Sequence, residues 1–325
     1  MQYAEPPAAI SGGYDTQVFG FRVQSAHEAW SRPLILRLLG SQHNPRRALR
    51  EAIIQNTVAT LGYPAPRVLV ASADALALGG AFLVMERLAG RPMLDTRWLG
   101  VASALAETQA RLHALDARPL VEAMESSGAR ETVAFASLLA QLHDRIERHA
   151  LDGLRPAMQW LLVHQPLPPA RPVICHGDFH PQNVMMASGV VTGVLDWPNA
   201  LVADAAYDVA STRVILGLVP IELLGVPPGL RHFVQAWRRL MLARYLAAYR
   251  RCRPLDLRTL AYYEAASSMR QLVRVAEARV SGRLTPLDLS VFGERVAARF
   301  RALTGVGPRI PAAPTRPDRS RTVGS

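Results

Sequence analysis

The chain has 325 residues, half of them apolar and 19% charged, with 37 basic and 26 acidic side chains. At roughly 100–200 residues per domain that length admits two packed units, and the composition excludes both a disulfide-stapled mini-protein and a disordered chain. Every cation is an arginine, and Cys175 and Cys252 are the only cysteines, so neither a disulfide framework nor a thiolate zinc site is expected.

The N-terminal residues MQYAEPPAAISGG carry Glu5 and two prolines, with no basic region before an apolar run. That is not a signal peptide. The longest apolar stretch, Ala75–Met85, is short and broken by Gly79-Gly80, so no membrane span is expected and the protein reads as cytoplasmic. Residues 17–23 and 33–39 alternate as strands joined by a hairpin-like connection. Arg46–Leu61 reads as a helix, with Leu49, Ile53, Ile54, Thr57 and Val58 recurring at three and four and Gly62 stopping it. Residues 67–71 and 81–86 read as two more strands, so the first 86 residues form a β-β-α-β-β unit.

After Gly90-Arg91-Pro92 the pattern turns helical over 98–116, 131–150 and 153–164. Pro166, Pro168, Pro169 and Pro172 break it, and two short apolar runs follow, Val173–Cys175 and Val190–Leu195. From Ala205 to Leu303 the pattern is helical again, and residues 305–325, with four prolines and four arginines, read as a disordered tail. The charge is uneven. Residues 1–208 are net −2, residues 209–304 hold 16 Arg against 6 acids, and the tail is net +3. Solvated arginine faces account for this better than nucleic-acid binding, because no aromatic-interleaved basic motif or zinc finger accompanies the charge.

The chemistry concentrates in His176-Gly177-Asp178-Phe179-His180-Pro181-Gln182-Asn183, on a loop after a short strand, and in Leu195-Asp196-Trp197 at the end of another. Two acids and a carboxamide at strand ends can converge on one point. An Asp that takes a hydroxyl proton, beside an Asn and a second Asp that hold Mg²⁺, is what phosphoryl transfer needs.

HGDFHPQNVM followed by VLDW, after a small β-rich unit, resembles the aminoglycoside phosphotransferase family of the protein-kinase-like fold, over about residues 10–300. The resemblance implies an α+β, two-lobed fold: a small β-rich N-lobe over 1–88, a larger helical C-lobe over 89–304, and the tail. It implies Asp178 as catalytic base, Asn183 and Asp196 as Mg²⁺ ligands, and His176 as a structural loop residue. His180 reads as a satisfied loop histidine. Asp208 resembles the acid that caps the following helix and braces the catalytic loop, with Asp204 as its rival. Ser11, Gly12 and Gly13 resemble the phosphate-covering loop. Arg37 stands where the family commonly has Lys and would clamp phosphate bidentately, paired with Glu51. Met85, Glu86 and Leu88 resemble the hinge that receives adenine, Met85 by its side chain and the other two by backbone.

The function so implied is a small-molecule kinase that moves the γ-phosphate of ATP or GTP to a hydroxyl. The helix from Arg231 puts Phe233, Trp237, Leu240 and Met241 on one face with Arg244, an apolar wall with a guanidinium. With the excess of arginine, this points to a neutral or anionic acceptor rather than a polycationic one. The partners are then a nucleotide and a hydroxylated small molecule, with the chain a monomer or homodimer. Two alternatives stay open: a degenerate kinase-fold protein that binds without turnover, and a nucleic-acid module using the basic C-terminal half. The presence of Asp178, Asn183 and Asp196 together disfavours the first.

Overall fold

The computed structural model describes residues 2–10, 16–25, 27–40, 44–96, 100–128 and 133–312. The elements begin with β1 (Gln2–Ala9), β2 (Thr16–Gln24), the one-turn helix α1 (Glu28–Ser31), β3 (Leu34–Leu39), α2 (Arg46–Thr60), β4 (Val68–Ser72) and β5 (Phe82–Glu86). Then come β6 (Arg91–Pro92), α3 (Val101–His113), α4 (Arg118–Ser126), α5 (Phe135–Arg148) and α6 (Arg155–Val163). Four short strands follow: β7 (Val173–Cys175), β8 (Val184–Ala187), β9 (Val190–Val194) and β10 (Leu201–Ala203). Helices α7 (Ala205–Leu218), α8 (Arg231–Cys252), α9 (Leu257–Ser281) and α10 (Phe292–Thr304) complete the order.

The α+β class expected from the sequence holds. Strand β1, which contains Pro6 and Pro7, adds to the strands expected from the sequence. It forms the outer edge of a five-stranded antiparallel sheet ordered β1-β2-β3-β5-β4, where a missing N–H breaks no ladder on its free side. The hairpin connection expected between β2 and β3 holds α1 instead. Strands β8 and β10 are too short for a period to show in the sequence.

Two compact units divide the chain. The first comprises Met1–Leu138, Leu167–Thr212 and Leu240–Asp256; the second comprises Leu139–Pro166, Arg213–Arg239 and Leu257–Ser325. In the first, α2 packs on the sheet through Leu39, Ala48, Ala52, Val68, Ala81, Leu83 and Met85. The helix face is not quite the one its large residues announce, since Leu49 is 40% exposed. Ala48, Glu51, Ala52 and Gln55, spaced three and four apart, are buried instead. The two alanines admit a close approach to the sheet, and that approach carries the Glu51 carboxylate inward. Gly62, at φ +82°, ends the helix. The Gly62 amide donates to Ala59 O (3.1 Å) and the Tyr63 amide to Val58 O (3.0 Å), which closes the last carbonyls of α2.

In the second unit, the Tyr262 hydroxyl on α9 donates to Leu161 O at 3.0 Å, and the Trp160 ring meets Phe300 edge-on. The tail expected from Gly305 onward is corrected here over its first eight residues. The Arg309 amide donates to Gly153 O (2.9 Å), Pro308 is buried, and the buried Arg279 donates to Pro311 O (2.9 Å). Proline-rich sequence does not need helix or strand to dock when a buried guanidinium and a loop carbonyl take its backbone groups. Residues 313–325 lie outside the described residues.

Candidate active site

Strand β7, Val-Ile-Cys, is fully buried and runs straight into His176-Gly177-Asp178. Gly177 takes φ +75°, which glycine adopts without strain. Asp208, on α7 and wholly buried, accepts from the amides of Gly177 (2.6 Å) and His176 (3.1 Å). His113 of α3 donates through Nε2 to the same carboxylate at 3.0 Å, and its Nδ1 lies 2.6 Å from the Tyr249 hydroxyl. Burial pushes the Asp208 carboxyl up, but the His113 hydrogen bond and charge outweigh it and hold the pKa at about 2. Asp204 instead caps α7, accepting from the Ala206 amide at 2.8 Å. The two tasks expected of one acid are thus divided between Asp208 and Asp204.

The sign of this shift sets an expectation for stability. A pKa lowered from 3.8 to about 2 contributes about 2 kcal/mol above pH 3.8, lost as pH falls toward 2. Asp208→Asn is therefore expected to be less stable than wild type near neutrality by about that amount or more, with the gap closing below pH 4. Urea midpoints of both proteins between pH 7 and 3 measure it, and a gap that ignores pH would exclude this titration.

His176 works as a strut. Its Nε2 donates to Leu195 O (2.9 Å), next to Asp196, and its Nδ1 accepts from the Asp178 amide (3.3 Å). Burial keeps it neutral, with a pKa below the ordinary histidine value. The Thr212 hydroxyl donates to Phe179 O at 2.7 Å, and the Leu195 amide donates to Asn183 O at 2.8 Å. The loop and the Asp196 strand are therefore one hydrogen-bonded assembly. Asp178 stands on it, about a quarter exposed, with His180 Nε2 3.8 Å from its carboxylate.

The clamp comes from the sheet. The register sets Arg37 opposite Val18 and Leu83. Its Nη1 donates to Glu51 Oε1 at 2.6 Å and its Nη2 to Asp196 Oδ1 at 2.7 Å. One guanidinium fork so joins α2 to the end of β9, which a point-like ammonium would do less well. Burial alone would lower the Arg37 pKa, but Glu51 and Asp196 hold it above its ordinary value. Burial pushes the Glu51 carboxyl up against the pull of Arg37, and its Oε2 has no hydrogen-bond partner. Burial likewise opposes ionisation of Asp196, but Arg37 holds that carboxyl below the usual range. Asp196 also has φ +68°, in the left-handed region that is rare outside glycine.

The donor set fits Mg²⁺. Asn183 spends its amide nitrogen on Asp178 O (3.0 Å) and on His180 Nε2 (3.2 Å), which leaves its oxygen as a ligand. Among the described residues no hydrogen bond engages the second oxygen of Asp196, whose side chain is 36% exposed. One carboxylate and one carboxamide oxygen, completed by water and phosphate, suit a small hard cation.

Met85 is buried at the end of β5, and its sulfur accepts from Gln55 Nε2 at 3.6 Å. Glu86 accepts from the Arg67 amide, and Leu88 packs against Gly193 of β9. Ser11, Gly12 and Gly13 lie outside the described residues. Trp237, 40% exposed, and Arg244 lie on the exposed side of α8 with Phe233 and Leu240, away from the buried Tyr245 and Tyr249. Sequence reasoning missed Gln109, His113, Thr212 and Tyr249 behind the loop, and Arg50 on α2. The available signal was a pair of polar residues, Gln109 and His113, four apart on an otherwise apolar helix face.

The comparisons follow the same lines. The chain is 28% identical over 171 residues to acyl-CoA dehydrogenase family member 11 of Mus musculus, a match covering 50% of this chain and 22% of that protein. The chain thus spans about a fifth of the length of the first curated relatives it matches. It is 32% identical over 168 residues to aminoglycoside 3'-phosphotransferase of Streptomyces fradiae, covering 46% of this chain and 57% of that one. A thermostable mutant of aminoglycoside phosphotransferase APH(4)-Ia, in ternary complex with ADP and hygromycin B, shares the fold with TM-score 0.58 at 16% identity, covering 94% of this chain and 95% of that one. With the sequence model of the phosphotransferase enzyme family matching residues 8–263, the chain belongs to that family.

Proposed function

We propose that this protein is a small-molecule kinase that transfers the γ-phosphoryl group of ATP or GTP to a hydroxyl of a neutral or anionic acceptor. The observation that carries the reading is the single assembly formed by Asp178, Asn183, Asp196, Arg37 and Glu51 within one compact unit. Asp178 takes the proton of the acceptor hydroxyl as its oxygen bonds to phosphorus and the bond to the nucleoside diphosphate breaks. Arg37, held by Glu51, neutralises the nucleotide phosphates. Met85 lines the adenine site, with the Glu86 carbonyl and Leu88 amide as its hydrogen-bonding edge. Asn183 and Asp196 would hold Mg²⁺, which when bound offsets charge on the β- and γ-phosphates. His176 and Asp208 fix the loop that presents Asp178. Turnover takes place in the cytoplasm, where nucleoside triphosphate is at hand, by a monomer or homodimer. No helix among the described residues is long and apolar enough to cross a membrane.

The acceptor class follows from where the acids are. Of the six in residues 209–304, Glu222 pairs with Arg295, Glu264 with Arg213 and Arg299, and Glu277 with Arg145. Asp288 pairs with Arg274 and Glu294 with Arg279. Five of the six are committed to arginine, so this segment has few carboxylates to offer a substrate with several ammonium groups. Phe233, Trp237, Leu240 and Arg244 on the exposed side of α8 supply an apolar and cationic surface instead, with Trp237 and Arg244 proposed to meet the acceptor. The name of the Mus musculus relative adds acyl thioesters to the acceptors worth trying. The test is ADP or GDP release, with Mg²⁺ and either nucleotide, across kanamycin-like amines, macrolides, sugars and hydroxylated acyl acids or thioesters. The expected result is kcat/KM at least tenfold higher for a neutral or anionic acceptor than for any amine. Efficient turnover of the amines with the others inert would overturn the acceptor class.

A further inference from the structure

We infer that Arg50 is a positioning residue for the metal-binding aspartate: it holds the turn after Asp196 through two backbone carbonyls and so sets the carboxylate in place from helix α2. The inference rests on the kinase reading given above. Arg50 Nη1 donates to Pro198 O at 2.7 Å and its Nη2 to Ala200 O at 2.6 Å, across 148 and 150 residues of chain. These carbonyls belong to the turn Trp197–Ala200, which leads from Asp196 into β10. The Asp196 backbone sits in the left-handed region, which a non-glycine residue keeps only when its surroundings over-determine it.

On the N-terminal side of Asp196 that restraint is clear. The Leu195 amide donates to Asn183 O, and Leu195 O accepts from His176. On the C-terminal side, the indole of buried Trp197 donates to Val194 O and the Ala200 amide donates to Trp197 O. These bonds shape the turn but tie it only to itself and to β9. Arg50 is the group that ties it to α2. A planar fork with parallel donors is suited to two neighbouring carbonyls, whereas an ammonium serves such a pair with less geometric control.

The neighbour of Arg50 in sequence gives the arrangement its consequence. Glu51 holds Arg37, and Arg37 holds the Asp196 side chain. Adjacent residues of one helix thus grip Asp196 twice, Glu51 through the carboxylate and Arg50 through the backbone beyond it. A displacement of α2 would disturb both grips together, and the packing of Ala48 and Ala52 on the sheet opposes that displacement. The helix is latched to the metal site by its own side chain.

The test uses the full-length chain with Arg50→Ala and Arg50→Lys. Loss of a residue that orients a metal ligand typically costs about 10–100-fold in metal affinity or activity. Arg50→Ala is expected to raise half-saturating Mg²⁺ about tenfold and lower kcat by about 10–100-fold. Its nucleotide KM at saturating Mg²⁺ should change less than about threefold. Mn²⁺ binding with a non-hydrolysable ATP or GTP analogue, followed by electron paramagnetic resonance without acceptor, should weaken by a similar factor. Arg50→Lys should fall between, and added methylguanidinium should recover part of the Mn²⁺ affinity of Arg50→Ala. Circular dichroism melts of all three proteins check that they fold. Should Arg50→Ala not fold, the comparison of wild type with Arg50→Lys decides. Mn²⁺ affinity and Mg²⁺ dependence within twofold of wild type in the folded variants would overturn the inference, whatever happens to the melting temperature. A wild type that releases no nucleoside diphosphate and binds no Mn²⁺-nucleotide would instead sink the kinase reading, and the role of Arg50 with it.

Discussion

Asp178→Asn is expected to abolish phosphoryl transfer while nucleotide binding persists. The substitution keeps the size of the side chain and leaves the loop's supports untouched: Asp208 on the Gly177 and His176 amides, His176 on the Asp178 amide, Thr212 on Phe179 O. What it removes is a group able to accept the hydroxyl proton of the acceptor. His180 offers no ready substitute, because its Nε2 already accepts from Asn183 and stands 3.8 Å from the Asp178 carboxylate. General base catalysis is worth roughly 10²–10⁴ in rate, and the same carboxylate also orients the acceptor. A fall in kcat of at least about a hundredfold is expected, with the dissociation constant for Mg²⁺-nucleotide within about threefold of wild type. Stopped assays of ADP or GDP release, together with calorimetric nucleotide titration, read both quantities. Retention of more than a tenth of wild-type kcat would remove Asp178 from the chemistry.

Arg37→Ala should be costly in two ways. Turnover suffers because the chain contains no lysine to take over the phosphate clamp, and Arg50 of α2 is committed to Pro198 O and Ala200 O. Nucleotide KM should rise about tenfold or more and kcat should fall by a comparable factor. Folding suffers because Glu51, 1% exposed at its side chain and with Oε2 already orphaned, loses its partner. Breaking a buried pair by removing one member costs about 3–5 kcal/mol, since the remaining charge stays buried. A drop in melting temperature should therefore accompany the kinetic loss. Arg37→Lys separates the two effects. An ammonium can satisfy Glu51 and so recover most of the stability, but it lacks the fork that reaches Glu51 and Asp196 at once, and kcat should recover less. Unchanged nucleotide KM and kcat in Arg37→Ala would mean that the clamp lies elsewhere.

What could be read from the sequence was local. The apolar runs Leu34–Leu39 and Phe82–Glu86 mark strands, and the resemblance set Arg37 against Glu51, to which it donates at 2.6 Å; its second bond, to Asp196, was not legible. The spacing of His176, Asp178, Asn183 and Asp196 encodes a loop and a strand end, because a few residues of backbone geometry suffice to bring those groups together. Such signals survive in one dimension because the groups concerned lie in one short stretch of chain, residues 176–196.

Other features were decided by tertiary structure, each through a partner distant in sequence. Pro6 and Pro7 are tolerated in β1 only because that strand is the sheet's free edge. The exposed Leu49 and buried Glu51 reflect how closely two alanines let α2 approach the sheet, which large-residue periodicity does not report. Residues 305–312 are held by Gly153 and Arg279, so their own lack of apolar residues does not settle whether they are placed. His113 meets Asp208 across 95 residues and Tyr249 meets His113 across 136, and Arg50 reaches carbonyls 148 and 150 positions away. A backbone carbonyl looks the same at every position of a sequence. Which one a guanidinium or carboxylate finds is set by the packing of helices on strands, and only the folded chain specifies it.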